Sequence, residues 1–356
     1  MPSLKEIKGR INSISSTLAI TSAMKMVAAA KLQKAQMAIQ NMLPYERRLH
    51  SMLIDLMGAM NISAAASEDG SVRGSGSAER GFDQSGDRLS LSNRHDLAGM
   101  DGAYSLMAQR EVRKVAIVAF ASNSSLCGAF NSNVIREATA VINEYRASGL
   151  GDADITVYSV GRKMAETMKK LGFPSPADFT NMSDSPSYDA ASALAQELLD
   201  GFVSGRFDKV ELVYNHYKST SSQPTTRQTY LPLSLADATA DLQAGKIADS
   251  ASEPYADKVA EPVVRQNSPT TETPDLIVEP SKEELIATLL PKVVRLRVFT
   301  TLLDSTAAEQ AARTVAMQLA TDNGNDLLQE LTLEYNKGRQ QKITSEILDL
   351  VGGSMQ

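Results

Sequence analysis

From residue 3 to 60 the apolar positions recur at helical spacing. Leu4, Ile7, Ile11, Ile14 and Leu18 alternate steps of three and four, the seam of a coiled coil. The register continues through Thr21, Lys25, Ala28, Leu32, Ala35, Ile39, Met42, Leu49, Leu53 and Leu56, with Thr21 and Lys25 interrupting it and Pro44 a candidate bend. Between about 61 and 110 the period is lost in a stretch rich in Ser, Gly, Asp and Arg, which reads as a loop or insert. A continuous apolar run at Val115–Phe120 then predicts a buried parallel strand. Asn131 or Ser132 is placed to cap a helix running to about Ser148. Ile155 to Val160 predicts a second strand, followed by Gly161 and a helix to about Leu171. A loop punctuated by Pro174, Pro176 and Pro186 leads to a helix over Ala190 to Val203, a strand over Val210 to Tyr214, and an edge strand over Gln228 to Leu233. Strand and helix alternate, so the middle of the chain predicts a Rossmann-like βαβ domain.

Residues 235–280 are again polar and lead into the longest helical pattern of all. Ser281, with Glu284 three residues on, signals its start. Its apolar positions run through Leu285, Ile286, Leu289, Leu290, Val293, Leu296, Leu303, Ala307, Val315, Leu319, Leu328, Leu331 and Tyr335. The run ends on Ile343, Ile347, Leu350 and Val351, where Gly352 and Gly353 are expected to stop it. About 70 residues at about 1.5 Å each make a rod of roughly 100 Å, too long for a compact domain. The simplest way to bury two apolar stripes at opposite ends of the sequence is an antiparallel coiled coil of the terminal helices. The expected fold is therefore α/β plus this coiled coil. Its segments are 1–60 and 281–356 (the helices), 111–234 (the α/β domain), and 61–110 and 235–280 (polar inserts). The C-terminal helix overhangs its shorter partner by roughly 25 Å. An apolar stripe on such an overhang marks a site for another protein.

Composition narrows the function. A hydrophobic fraction of 42% over 356 residues permits a sizeable core, and a net charge of −6 argues against nucleic acid as a partner. Residues 1–58 nevertheless carry eight basic side chains against three acidic ones, either a solvated helix face or a shaft facing an acidic partner. The single cysteine, Cys127, excludes an internal disulfide and reads as a buried structural thiol. No signal-peptide pattern and no run of 18 apolar residues is present, so no membrane span is expected. Chemistry is hard to find. The turn Ser124–Phe130 looks superficially like a nucleotide-binding turn, but it lacks Gly-x-Gly-x-x-Gly, and Gly-Lys-Ser/Thr occurs nowhere. His50, His95 and His216 are isolated and fit no metal spacing. No catalytic residues, cofactor or metal are expected.

Several blocks carry a resemblance. Ile7-Lys8-Gly9-Arg10-Ile11 and Thr21-Ser22-Ala23-Met24-Lys25-Met26-Val27-Ala28-Ala29 open the chain, and Leu126-Cys127-Gly128-Ala129-Phe130-Asn131 marks its middle. Glu309-Gln310-Ala311-Ala312-Arg313, Ala320-Thr321-Asp322-Asn323, Leu333-Glu334-Tyr335-Asn336, Arg339-Gln340 and Ile343-Thr344-Ser345-Glu346-Ile347 close it. Over roughly 1–58, 112–233 and 275–353 the sequence resembles the gamma subunit of F-type ATP synthases. The resemblance implies a rotating central stalk coupling proton flow to ATP synthesis or hydrolysis, with no active site of its own. The implied partners are three alpha and three beta subunits, epsilon and the c-ring. The implied location is peripheral, on the cytoplasmic face of the energy-transducing inner membrane. It also implies beta-subunit contacts at Met24, Lys25, Arg313, Arg339, Gln340, Thr344 and Glu346, and an apolar bearing tip at Ile343, Ile347, Leu350 and Val351. Glu279 would face the c-ring at the foot. For Lys25 a lysine snorkelling from the seam is the alternative. Asn123-Ser124-Ser125 departs from the Asp-Arg-Gly common in the family, so the hydrogen bonds of that turn are expected to differ. A flagellin-like filament subunit, a coiled-coil scaffold and an α/β enzyme with a helical oligomerisation arm are the readings left beside it.

Overall fold

A computed structural model describes residues 3–59, 106–233 and 281–354. Most of the two polar inserts, and Glu279 with them, lie outside the described residues. Two helices dominate: α1 (Leu4–Ala59), 56 residues long, and α6 (Lys282–Ser354), with 73. At 1.5 Å per residue they measure roughly 84 and 110 Å. Between them come β1 (Val115–Phe120), α2 (Phe130–Ala147), β2 (Ile155–Val160), α3 (Arg162–Lys170), α4 (Thr180–Asp184), α5 (Tyr188–Val203), β3 (Lys209–Asn215) and β4 (Thr225–Leu231).

The strands form one sheet in the order β2-β1-β3-β4, with β1 parallel to both neighbours and β4 antiparallel at the edge. β1 is buried along its whole length because helices cover both faces of the sheet, which explains its unbroken apolar sequence. On one face Val115, Ile117, Ala119, Val157 and Val213 pack against Val134, Ala138 and Ile142 of α2 and Met164 and Met168 of α3. On the other, Ala116, Val118, Phe120, Val210 and Leu212 meet α5 and the root of α6, at Ile286, Leu290, Val294 and Val298. Leu49, Leu53 and Leu56 of α1 close the same core. The sheet therefore uses the long helices as one of its own layers. Glu211, in the middle of β3 and buried, is held by Tyr145, Lys209 and Arg227. Burial pushes its carboxyl up, but bonds from Arg227, Lys209 and Tyr145 outweigh it and hold the group below its ordinary range.

α1 and α6 run antiparallel. Gly338 lies against Leu4 and Gly324 against Leu18; Thr321 Oγ1 donates to Thr21 Oγ1 at 3.2 Å, and Thr300 Oγ1 to Glu46 at 3.1 Å. α6 passes through three environments. It is buried on most sides up to Arg313, half-buried along one stripe from Met317 to Gly338, and exposed beyond. Within the stripe the seam is Met317, Thr321, Gly324, Leu328, Leu331, Tyr335 and Gly338, in alternating steps of four and three. Val315 and Leu319, expected in the apolar run, instead face outward, 42% and 61% exposed. Gly324 is there for close approach: a Cβ would lie 2.6 Å from Leu18 Cδ2.

Other expectations shift in detail. Ser281 Oγ accepts from the amide of Glu284 at 3.1 Å, as its spacing predicts. Pro44 and Pro291 lie within uninterrupted helix, and α6 runs on through Gly352 and Gly353 to Ser354. α2 begins at Phe130 with no side-chain cap, because its N-cap position is Ala129, and the expected caps Asn131 and Ser132 lie inside its first turn. β4 begins and ends earlier than predicted, stopping at Leu231 before Pro232, which has no amide hydrogen to give a ladder. The five-residue α4, inside the proline-punctuated loop, is too short to show a period.

Candidate functional site: joint, shaft and free tip

The chain leaves β1 for β2 on one side and returns to β3 on the other, so its topological switch point lies between the carboxyl ends of β1 and β3. Open α/β sheets bind ligands in that crevice. Here α6 fills it. Cys127, from the loop after β1, and Phe130, the first residue of α2, pack with Ala308 of α6, and Tyr217, from the turn after β3, and Ala312 border the same cluster. Cys127 is 1% exposed, the structural thiol its sequence context predicts.

Polar contacts fix the joint. In the β1–α2 loop the amide of Ser122 donates to Asn131 Oδ1 at 3.0 Å, and Asn131 Nδ2 donates to Ser124 O at 3.2 Å. Leu126 and Gly128 take left-handed backbone, φ 69 and 58. The folded loop presents Ser125 O and Ser124 Oγ to Arg313, whose Nη1 and Nη2 donate to them at 2.7 and 2.8 Å. Arg313 Nη2 also donates to Glu309 Oε1 at 2.6 Å. Burial pushes the Glu309 carboxyl up against the pull of Arg313. Asn123 accepts from the amide of Arg162 at 2.8 Å and donates to Thr180 O at 2.8 Å. It thereby ties the starts of α3 and α4 to the loop.

The turn after β3 supplies the second hold. Asp304 of α6 receives His216 Nδ1 at 2.6 Å and the amide of Tyr217 at 2.9 Å, while Tyr217 OH accepts from Gln36 of α1 at 2.6 Å. The dipeptide His216–Tyr217 thus touches both helices of the shaft. The hydrogen bond to Asp304 raises the pKa of His216.

The residues singled out by the sequence separate into three places. Arg313 lies at the joint, 8% exposed, with its guanidinium engaged by Ser124, Ser125 and Glu309. Met24 and Lys25 are half-buried beside the seam, midway along the shaft. Arg339, Gln340, Thr344 and Glu346 stand on the overhang, exposed. Thr344 Oγ1 donates to the carbonyl of Gln340 at 2.9 Å, and Glu346 pairs with Lys342 at 3.7 Å in full solvent. With Leu4 facing Gly338, the last turns of α6 project beyond the first described residues of α1 by roughly 24 Å. Ile343, Ile347, Leu350 and Val351 are 46%, 54%, 74% and 50% exposed. At about 100° per residue they share one arc, bordered by Arg339 and Glu346 on one side and Thr344 on the other. Leu348, 65% exposed, is a further apolar tip residue lying off that arc.

That His216, Tyr217 and Asp304 act together was not readable from the chain, since residues 88 apart share no spacing signal. Among the described residues no group of His, Cys, Asp and Glu is placed to hold a metal ion, and no helix is long and apolar enough to cross a membrane.

Residues 3–355 match the ATP synthase family profile. The ATP synthase gamma chains of Phocaeicola vulgatus and Bacteroides thetaiotaomicron are 47% and 44% identical to this chain, covering 100% of it and 100% of their own length. Among solved structures, a chain of the Euglena gracilis mitochondrial ATP synthase, in its OSCP/F1/c-ring assembly, superimposes with a TM-score of 0.53 at 19% identity, covering 99% of this chain and 93% of that one. That likeness, at 19% identity, is one of fold. Joined to relatives alike from end to end, it leaves one conclusion, that this chain belongs to the ATP synthase gamma chain family.

Proposed function

We propose that the chain is the rotating central stalk of a proton-translocating F-type ATP synthase, and that it works by contact and performs no bond chemistry of its own. The observation that carries this reading is α6 itself. It is one uninterrupted helix, built into a sheet's core at its root and bare and apolar at its far end. Torque applied at the domain reaches the tip without crossing a chain break. Arg313–Ser124/Ser125 and Asp304–His216/Tyr217 hold the domain against the shaft while it turns. The tip would sit in an apolar sleeve formed by the three alpha and three beta subunits. Arg339, Gln340, Thr344 and Glu346 would contact a beta subunit, and Met24 and Lys25 would face an acidic loop of beta. The domain would rest on epsilon and the c-ring at the membrane's cytoplasmic face, with Glu279 at that foot.

A shaft with unlike faces favours a different state in each surrounding subunit in turn. That is coupling by differential affinity. The outward-facing Met26, Val27, Val315 and Leu319, 65%, 58%, 42% and 61% exposed, give those faces apolar contact area. Family membership displaces the filament-subunit reading. Replacing Arg339 and Gln340 together by Ala should lower ATP-driven proton pumping in the reconstituted complex while the melting profile of the subunit stays unchanged. Pumping and synthesis at wild-type rates would remove both residues from the role given them.

A further inference from the structure

Where β1, β2, α4 and α6 meet, the fold leaves a narrow, partly open niche of about 10 Å³. Phe120 and Leu302 line its apolar side, and Ser183, Ser305, Thr306 and Glu309 its polar side. The volume is at the lower limit for one water molecule, and such a water needs two to four polar partners. Thr306 is already committed, its hydroxyl donating to Leu302 O at 2.8 Å. Three other groups keep capacity. Ser305 is 5% exposed; its hydroxyl keeps some accessible surface in the niche and makes no hydrogen bond to the described residues. Glu309 is 7% exposed; Arg313 and Gln310 both reach its Oε1, at 2.6 and 3.5 Å, and its Oε2 takes no bond from the described residues. Ser183, 9% exposed, donates to Ala121 O at 3.1 Å and still offers its lone pairs.

We propose that this niche is a binding site for a single water molecule, which accepts from Ser305 Oγ and donates to Glu309 Oε2 and Ser183 Oγ. One donor and two acceptors meet the usual three bonds of a buried water, with none left over. The water belongs to both parts of the molecule at once: Ser183 comes from the domain, Ser305 and Glu309 from the shaft. It also completes the shell of the carboxylate that orients Arg313, and Arg313 holds Ser124 and Ser125. The β1–α2 loop is therefore gripped through a chain of contacts that ends in this bound water. The competing arrangement is dry, with the Ser305 hydroxyl turned back on the helix carbonyl of Thr301. None of this depends on what the shaft turns against.

The test is a structure of the assembled complex at a resolution that shows ordered waters, joined to amide hydrogen exchange over residues 122–131 in the full chain. Wild type should show density in the niche within hydrogen-bond reach of Ser305 and Glu309. Ser305→Val places a methyl group in the site; it should expel the density and speed exchange in the loop about fivefold. Ser305→Ala, the milder change, should keep the water on two bonds and give a smaller acceleration. A niche without density in wild type overturns the proposal, as does loop exchange at the wild-type rate in both variants.

Discussion

At the scale of single residues, two histidines set opposite pH responses. His50 of α1 is 6% exposed. Burial first, and the positive charge of Arg297 second, lower its pKa from 6.5 to about 4. The unfolded chain therefore binds a proton that the folded chain refuses between those pH values. Stability is full above pH 6.5 and falls as the pH drops toward 4, by as much as about 3 kcal/mol. Denaturation midpoints taken across that window should show the loss, and His50→Gln should flatten it. His216 behaves in the reverse sense. Its pKa is raised by the bond to Asp304, so its contribution is present below the unfolded pKa and is lost as pH rises through the folded one. Asp304→Asn should abolish that alkaline loss, read as exchange protection at residues 216–218 measured above and below neutral pH.

At the scale of elements, the two glycines Gly9 and Gly324 separate helix propensity from packing. Both lie in the shaft. A Cβ at Gly9 would meet nothing within 4 Å, whereas one at Gly324 would crowd Leu18. Gly9→Ala should stabilise the subunit by about 1 kcal/mol. Gly324→Ala gains the same propensity but must displace Leu18 from the seam, at about 1–3 kcal/mol, so the net change should be neutral or unfavourable. Thermal midpoints of the two variants decide it, and a clear gain at Gly324 would show that the seam has slack. This pair also explains what the sequence could reveal. β1 was legible because a strand covered on both faces leaves an unbroken apolar run. The seam of α6 was only half legible, since Thr321, Gly324 and Gly338 occupy it and a hydrophobic pattern passes over them. Val315 and Leu319, four apart and apolar, mimic a buried stripe while facing outward. The joint was not legible at all: Arg313 and Ser124 are 189 residues apart, and only the closed fold brings them together.

At the scale of the whole molecule, stability and function occupy different lengths of the same helix. The tip residues Ile343, Ile347 and Leu350 are exposed and bury little within the chain. Changing all three to Gln should leave the stability of the isolated subunit, read from its thermal midpoint, within about 0.5 kcal/mol of wild type per site. The same variant should associate poorly with alpha and beta subunits in a reconstitution assay. Unimpaired assembly and coupling would show that the tip is not a bearing.

The antiparallel pairing of the first element with the last has a consequence during biosynthesis. α1 leaves the ribosome early, but the residues that cover its seam are translated last, from 282 onward. At roughly 5–20 residues per second, α1 waits tens of seconds with Leu4, Ile7, Leu18 and Leu32 unpaired. The sheet waits too, because α6 supplies one of its layers. The nascent chain thus stays open to chaperones, and to misassociation, until translation is nearly finished, and the shaft and the sheet's last layer then close together.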